Sequence, residues 1–393
     1  MNRRAPYDLV VVGAGIVGAA AALAAARDGL KVALVETREP SRWQAGEPDL
    51  RVVAFAPDNA ALLADLGVWE SVRAARAQPY RRMRVWDAAG GGELCFDADA
   101  IGRAGLGHIV ENALLADRLW AACAGEPGIH RFCPATVASL SQDEHAAALT
   151  LSDGSVLHAR LVLGADGAAS SLRALAGLEA PLHDYGQRGL VAYVGTERPH
   201  EDTAWQRFLP TGPLAFLPFA DGRCSIVWTL PAAEATRLLE ADEASFRREL
   251  TRAFDARLGE VVSVSARAAF PLRRQLASGY VAGRVVLAGD AAHVVHPLAG
   301  QGVNLGLRDV AGLRAAWRAA RERGADPGAP HRLARWERTR RSENTLAAYS
   351  FEAINRAFSN DAVLPTLLRG HVLGLAGRLP PLTRLLWHRA AGV

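Results

Sequence analysis

The chain has 393 residues, 50% of them hydrophobic, with 45 basic and 41 acidic side chains. That length and apolar content can bury a sizeable core and exclude an intrinsically disordered chain. The formal net charge is only +4, the arginines are scattered and Lys31 is the sole lysine, so there is no basic block of the kind a nucleic-acid partner requires.

Arg3 and Arg4 precede an apolar, alanine-rich run that superficially resembles a secretory or twin-arginine signal. Asp8 within the run, its regularly placed glycines and a second strand-like segment over 31–36 point instead to folded structure. Residues 9–12 read as a strand, 16–27 as a helix, Asp28-Gly29 as a turn and 32–35 as a second strand, which together make a βαβ unit. Helical spacing returns over 59–76, interrupted at Gly67. The section 81–97 is strand-like around Gly90-Gly91-Gly92, 112–123 reads as a helix, and 148–151 and 156–163 as strands about Asp153-Gly154. A different texture begins near Leu182: segments 189–194, 204–209, 214–218 and 224–230, separated by turns, read as an antiparallel sheet. A helix over 243–254, a buried parallel strand over 284–287 and long helices over 303–323 and 331–358 follow. No stretch has the unbroken apolar length of a bilayer span. Cys95, Cys123, Cys133 and Cys224 contain no C-x-x-C pair, which argues against a zinc site or a disulfide framework and fits a reducing cytoplasm. The expected fold class is α/β. A Rossmann-like dinucleotide domain is assembled from 1–75, 98–181 and 279–340, with an inserted antiparallel-sheet domain from 76–97 and 182–278 and C-terminal helices over 341–393.

Three motifs carry the chemistry. Gly13-Ala14-Gly15-Ile16-Val17-Gly18 lies between the first strand and its helix, and Glu36 closes the second strand. Gly13 permits the tight turn, Gly15 lets a pyrophosphate approach the backbone, and Gly18 lets helix and strand pack closely. N–H groups at the helix start attract phosphates, and Glu36 is placed to accept from an adenosine ribose. This motif does not separate FAD from NAD. The second motif, Leu161-Val162-Leu163-Gly164-Ala165-Asp166-Gly167, continues to Arg173 and puts Asp166 and Gly167 at the strand edge where open α/β sheets bind ligands. Taken alone, an Asp-Gly there is more often a plain turn. The third, Arg284-Val285-Val286-Leu287-Ala288-Gly289-Asp290-Ala291-Ala292-His293, leads into Pro297-Leu298-Ala299-Gly300-Gln301-Gly302-Val303-Asn304. Asp290 ends a strand and suits a polyol such as the ribityl chain of a flavin. The stretch 300–303 opens a helix whose free N–H groups favour negative charge on the N1–C2=O edge of a reduced flavin.

In this order the motifs resemble those of the group A flavoprotein aromatic monooxygenases. Within that class, LGHIVEN (106–112), GPLAFLPF (212–219), CSIVW (224–228) and GDAAHVVHPLAGQGVNLG (289–306) are similar to the ubiquinone-biosynthesis hydroxylases. The match includes Arg51-Val52-Val53-Ala54 and Leu66-Gly67-Val68-Trp69 and runs over nearly the whole chain; it departs at Phe55-Ala56, where the family usually has a serine nearby. The resemblance implies a p-hydroxybenzoate hydroxylase-like fold with FAD as cofactor. NAD(P)H is the visiting reductant, since one dinucleotide fingerprint is present, and O2 is the oxidant, acting on an electron-rich ring through a flavin C4a-hydroperoxide. No acid/base residue and no metal is expected.

By the same resemblance Pro297, Gly300, Gln301 and Gly302 position the flavin, and Gly289, Asp290, Val303 and Asn304 belong to its loop. Arg51 matches a family arginine near the flavin, the alternative being a solvated loop arginine. Asn112 and Glu111 either contact the flavin loop or start a helix, and Asp166 and Asp290 either serve the cofactor or cap helices. His293 and His296 lack a third ligand and are expected to shape the flavin loop. The implied substrate is a polyprenylated phenol, and the implied surroundings are a membrane surface and the other ubiquinone-pathway enzymes, for a cytoplasmic enzyme peripheral on the inner membrane. The tail 363–389, rich in leucine and arginine, reads as a packed helix pair or a lipid-docking segment. Two further readings stay open: a hydroxylase of a soluble phenol or secondary metabolite, and a non-catalytic flavin-binding scaffold. A halogenase would need a lysine beside its substrate, and Lys31 lies in the βαβ unit.

Overall fold

The computed structural model describes residues 7–88, 92–295 and 301–358. In chain order these form β1 (Tyr7–Val12), α1 (Ile16–Arg27), β2 (Val32–Val35), β3 (Val52–Phe55), α2 (Pro57–Asp65), α3 (Trp69–Arg76), β4 (Gln78–Tyr80), β5 (Arg82–Asp87), β6 (Glu93–Asp97), β7 (Gly107–Glu111), α4 (Asn112–Ala124), β8 (Ile129–Phe132), β9 (Val137–Gln142), β10 (Ala147–Leu151), β11 (Val156–Gly164) and α5 (Ser171–Leu175). They continue with β12 (Leu182–Thr196), β13 (Thr203–Leu209), β14 (Gly212–Pro218), β15 (Cys224–Pro231), α6 (Ala232–Glu240), α7 (Glu243–Ala253), β16 (Val261–Val264), β17 (Ala268–Leu276), β18 (Val281–Ala282), β19 (Val285–Leu287), β20 (His293–Val294), α8 (Gln301–Glu322) and α9 (Pro330–Phe358).

The first sheet runs β18-β19-β11-β1-β2-β8, parallel from β19 to β8. Its inner strands are short continuous apolar runs, with consecutive residues buried on both faces of the sheet. β11 shows the change within one strand. Residues 156–160 alternate between buried and exposed where β11 pairs antiparallel with β10, and 161–164 are uniformly buried where it lies between β1 and β19. α1 is buried almost throughout, wedged against the sheet, α4 and α8. Its alanines make it thin enough for that position and apolar on every side, as an interior helix must be.

The second sheet runs β20-β17-β12-β15-β14-β13-β5-β6, with β16 beside β12. It is antiparallel as expected except that β13 lies parallel to β5. One face, including Leu190, Leu214, Phe216, Ile226 and Trp228, packs against Leu238, Phe246, Leu250 and Phe254 of the α6–α7 region. The other face looks toward a three-stranded sheet, β3-β7-β4, that the sequence reading had not resolved. The sheets are stitched by β20, whose His293 and Val294 pair with Leu276 and Gln275 of β17 directly after the third motif. Helix α9 is continuous through residues 340 and 341, so the C-terminal boundary expected there falls inside one helix. No helix of the described residues is long and apolar enough to cross a membrane.

One carboxylate fixes the position of α8. Asp28, just past α1 and almost fully buried, accepts from Arg314 Nε (3.1 Å) and Nη2 (3.0 Å), Arg318 Nε (2.9 Å) and Nη2 (2.6 Å), and Trp317 Nε1 (2.8 Å). Arg314 also pairs with Asp65 at the end of α2. Burial alone would raise the Asp28 carboxyl pKa, but these donors outweigh it and bring it down to about 2. The native state therefore gains stability from this group above its ordinary pKa of 3.8 and loses that gain as the pH falls toward 2. Asp28→Ala is expected to cost about 2 kcal/mol, since the buried Arg314 guanidinium loses its hydrogen bonds to Asp28 and keeps only its pair with the more exposed Asp65. Melting curves of wild type and Asp28→Asn should differ fully above pH 4, by about that ordinary range, and converge on acidification; a gap independent of pH would refute the assignment.

Candidate active site

The carboxyl ends of β1, β2, β11 and β19 lie side by side, and each of the three motifs leaves the sheet there. Gly13 has a φ of +97°, and a Cβ on it would strike the backbone of Ala165 and Asp166, so the first and second motifs touch main chain to main chain. A Cβ on Gly18 would overlap the Gly13 carbonyl. Gly15 is different: nothing lies within 4 Å of the point where its Cβ would stand. Gly15 is also the N-cap of α1 and provides no side-chain cap, so the first N–H groups of α1 face open space. A glycine forced by packing on either side and an unfilled glycine between them is the cradle a pyrophosphate needs.

Glu36, following β2, turns its Oε2 to the Ala14 N–H at 2.5 Å, while Oε1 accepts from Thr37 N (2.7 Å) and Thr37 Oγ1 (2.9 Å). It thus stands beside the glycine loop with one oxygen oriented by its own neighbours. Asp166 is drawn the other way. Its carboxylate accepts from Ser170 Oγ (2.5 Å), Ser171 Oγ (3.3 Å) and Leu172 N (3.1 Å), so it organises the start of α5. Gly167, with a φ of +84°, makes the turn between them.

Asp290 rises from a 3-10 turn, Gly289–Ala291, after β19. Its side chain reaches solvent, yet the protein around it raises the carboxyl pKa by desolvation, partly offset by His293. Exposure combined with that much surrounding mass means that Asp290 stands in a recess. Across it, the nearest non-helical atom to a Cβ on Gly302 would be Asp290 Oδ1, at 4.0 Å, so the start of α8 faces this carboxylate. Gln301 opens α8, and Val303 packs on the main core. Asn304 is fully buried. Its Oδ1 accepts from Ala56 N (2.9 Å) and Asn59 Nδ2 (2.9 Å), and its Nδ2 donates to Ala54 O (2.8 Å). Its side chain ties α8 to the end of β3 and to α2. Pro297, Gly300 and His296 lie outside the described residues.

Arg51 is well exposed, with its guanidinium 5.9 Å from the Phe270 ring centroid. Its carbonyl accepts from Asn112 N at 3.0 Å. Asn112 begins α4, as one of its two readings held, and its Oδ1 is buried without a partner among the described residues. Beside it Glu111, fully buried, accepts from Asp49 N at 2.8 Å and lies 3.3 Å from Arg76; burial raises its carboxyl pKa. Sequence reasoning passed over Asp49, which caps α4 through Ala113 N (3.1 Å) and offers its carbonyl to Tyr193 Oη (2.6 Å), joining the two halves. It also gave no role to Arg173, which donates to Ala291 O (2.9 Å) and Ala168 O (2.8 Å) and clamps the second motif to the third. Its place in the run after Asp166-Gly167 was the available signal. No cluster of His, Cys, Asp and Glu suited to a metal occurs among the described residues.

Residues 6–347 match the FAD binding domain family. A solved structure of p-nitrophenol 4-monooxygenase PnpA from Pseudomonas putida DLL-E4 has the same fold, with a TM-score of 0.77 over 98% of both chains at 20% identity. The family match, the fold and the glycine–aspartate edge together define an FAD-binding protein. Among curated relatives, 3-demethoxyubiquinol 3-hydroxylase of Escherichia coli (strain K12) is 38% identical over 371 residues, 94% of each chain. Ubiquinone hydroxylase UbiL of Rhodospirillum rubrum is 39% identical over 386 residues, 98% of this chain and 89% of that one. The chain belongs to the family of ubiquinone-biosynthesis FAD-dependent hydroxylases.

The glycine geometry separates folding from cofactor binding. Gly15→Ala should leave the unfolding free energy of the FAD-free protein within about 0.5 kcal/mol of wild type and weaken FAD binding about tenfold or more. Gly18→Ala should destabilise the fold itself. Equal loss of apo-stability in both variants would refute the cradle. Asp290→Ala should weaken FAD retention about tenfold, as expected for a lost charged hydrogen bond; a variant that keeps its flavin through dialysis as wild type does would count against the ribityl role.

Proposed function

We propose that this enzyme hydroxylates the ring of a polyprenylated phenol or quinol in ubiquinone biosynthesis, with NAD(P)H as reductant and O2 as oxidant. The observation that carries the substrate class is the wall facing the motif edge. Met83, Ala215 and Val227 of the second sheet, and Val52, Ala54 and Tyr80 opposite them, are only partly buried, around a buried floor of Ile109, Ala204 and Leu217. These nine side chains are apolar apart from the Tyr80 hydroxyl. A ring carboxylate brought against them would lose hydration, whereas a decarboxylated ring with an apolar tail is favoured there. Because Asn304 joins Ala54 and Ala56 to α8, the wall is fixed to the element that faces Asp290.

In this reading the N–H groups after Gly13 and Gly15 hold the pyrophosphate, Gly18 keeps α1 close, and Glu36 accepts from the adenosine ribose. Asp290 binds the ribityl chain. Arg51, Asn112, Asp166, Gly167 and Gly289 shape the cofactor's surroundings, Asp166 and Gly289 through the turns they hold. The unpartnered Asn112 Oδ1 and the unfilled space at Gly15 both fit a bound cofactor. The segment Pro297, Gly300, Gln301, Gly302, Val303 and Asn304 places the positive end of α8 beside the reacting ring, where it stabilises negative charge. Bound FAD supplies the two-electron reduction and O2 activation that no side chain provides, and the protein supplies position, charge stabilisation and exclusion of water. The prenyl tail brings the enzyme to the inner-membrane surface from the cytoplasmic side, near the other enzymes of the pathway.

The relative in Escherichia coli is named for oxidation of demethoxyubiquinol at ring carbon 3, and that quinol is the first substrate to test. FAD-loaded enzyme should oxidise NADH or NADPH faster in its presence and place one atom of labelled O2 on the ring. 4-Hydroxybenzoate, with its carboxylate, should stimulate at least about tenfold less. Preference for the carboxylated ring would overturn the substrate class. Complementation of strains blocked at each ring hydroxylation should restore one step and name the carbon.

A further inference from the structure

The turn that carries Asp290 is held from within by a residue belonging to none of the three motifs. Asp309, in the third turn of α8, has no accessible surface. Its Oδ2 accepts from Gly289 N at 3.1 Å and lies 2.6 Å from His293 Nε2. Its Oδ1 accepts from Arg340 Nε at 2.9 Å and Asn344 Nδ2 at 3.0 Å, and its backbone carbonyl accepts from Trp336 Nε1 at 3.2 Å. One oxygen therefore pins both ends of the five-residue turn 289–293, and the other ties that turn to α9.

We propose that Asp309 and His293 are a positioning pair for the cofactor turn, setting the angle at which Asp290 meets the flavin ribityl chain and coupling that angle to the docking of α9. The proposal rests on the FAD reading above. Gly289, at φ +60°, is a flexible start for a turn whose central carboxylate needs a defined direction, and a bond at each end removes that freedom. The ionised state of the hub is secured locally: burial would raise the Asp309 carboxyl pKa, but His293, Arg340 and Asn344 outweigh it and hold it low. His293 Nδ1 is buried with no partner among the described residues, and Nε2 faces Asp309, where an Nε2 proton would be donated to the carboxylate. Arg340 supplies the counter-charge that makes a buried carboxylate tolerable. Asp290 is thus oriented through the bonds that Asp309 makes to the residues on either side of it, Gly289 and His293.

The test compares His293→Leu, which removes the donor, with His293→Gln, which keeps an N–H near the position of Nε2. Three quantities are measured on full-length protein: melting temperature without FAD, FAD dissociation constant by titration, and the visible spectrum of the bound flavin. His293→Leu should weaken FAD binding about tenfold or more and shift the flavin spectrum. His293→Gln should restore affinity to within about threefold of wild type. If His293→Leu does not fold, His293→Asn, polar but too short to reach Asp309, takes its place with the same expectation. A variant without the donor that melts lower yet binds FAD with wild-type affinity and spectrum would make the pair mere core packing and overturn the proposal. So would failure of glutamine to rescue a weakened leucine or asparagine variant. Wild type that takes up no FAD would instead refute the cofactor reading, a result distinct from either.

Discussion

A side chain at Gly18 would overlap the Gly13 carbonyl, and one at Gly13 would overlap the Ala165 carbonyl, so α1 and the loops after β1 and β11 meet at backbone distance. The same closeness recurs where α8 crosses: a Cβ on Gly306 would lie 2.6 Å from Val17 Cγ2 and 3.1 Å from Gly289 Cα. Interiors are packed too densely for these approaches to relax independently. The motif edge is therefore a compact of main chains, from which the Asp290 side chain extends to solvent while Glu36 is held against the glycine loop. Arg173, Asn304 and Asp309 add hydrogen bonds that fix loops already brought together by the absence of side chains.

The second sheet complements this edge with a different chemistry. The motif side offers N–H groups, carboxylates and the start of a helix, whereas the cluster between the second sheet and the three-stranded sheet offers alanine, valine, leucine, isoleucine, methionine and tyrosine. In the proposed reading, a ring held between them would meet polarity on the side where electrons arrive and apolar surface elsewhere. That division suits hydroxylation by a reduced flavin, in which stray water would waste the oxidant. β20 and the Tyr193–Asp49 bond keep the surfaces in register, since each belongs to both halves of the molecule.

Much of this was legible in the residues because it depends on local pattern. The first βαβ unit follows from an unbroken apolar run, a glycine turn and an alanine helix, and α1 and β2 occupy the positions that pattern predicts. The three-stranded sheet was not legible: β4 is only Gln78-Pro79-Tyr80, and its strand character comes from pairing with β7 rather than from its composition. β17, with Pro271, Arg273 and Arg274, is likewise a strand because β12 and β20 flank it. At the site, residue type indicated where polar groups gather and not which atoms face one another. Asp166 and Asn304 sit in the expected loops, but their side chains engage α5 and β3. Asp309 gave no signal at all. An aspartate in the helical run Leu307-Arg308-Asp309-Val310 has the look of a solvent-facing residue, and its partners lie 16, 20, 31 and 35 positions away.

The order of strands has a consequence for how such a chain comes into being. The parallel sheet needs β19, near residue 285, beside β11, while the covering sheet needs β5, near residue 82, beside β13. Each sheet thus encloses segments made before and after those of the other, and neither closes while the chain is still short. During synthesis the early strands must wait, with apolar edges unpaired, until roughly three quarters of the polypeptide has emerged, so long-range pairing rather than local propensity sets the pace of maturation. A cut anywhere between β5 and β18 divides both sheets at once, so through most of its length the polypeptide cannot be split into two pieces that each keep one sheet.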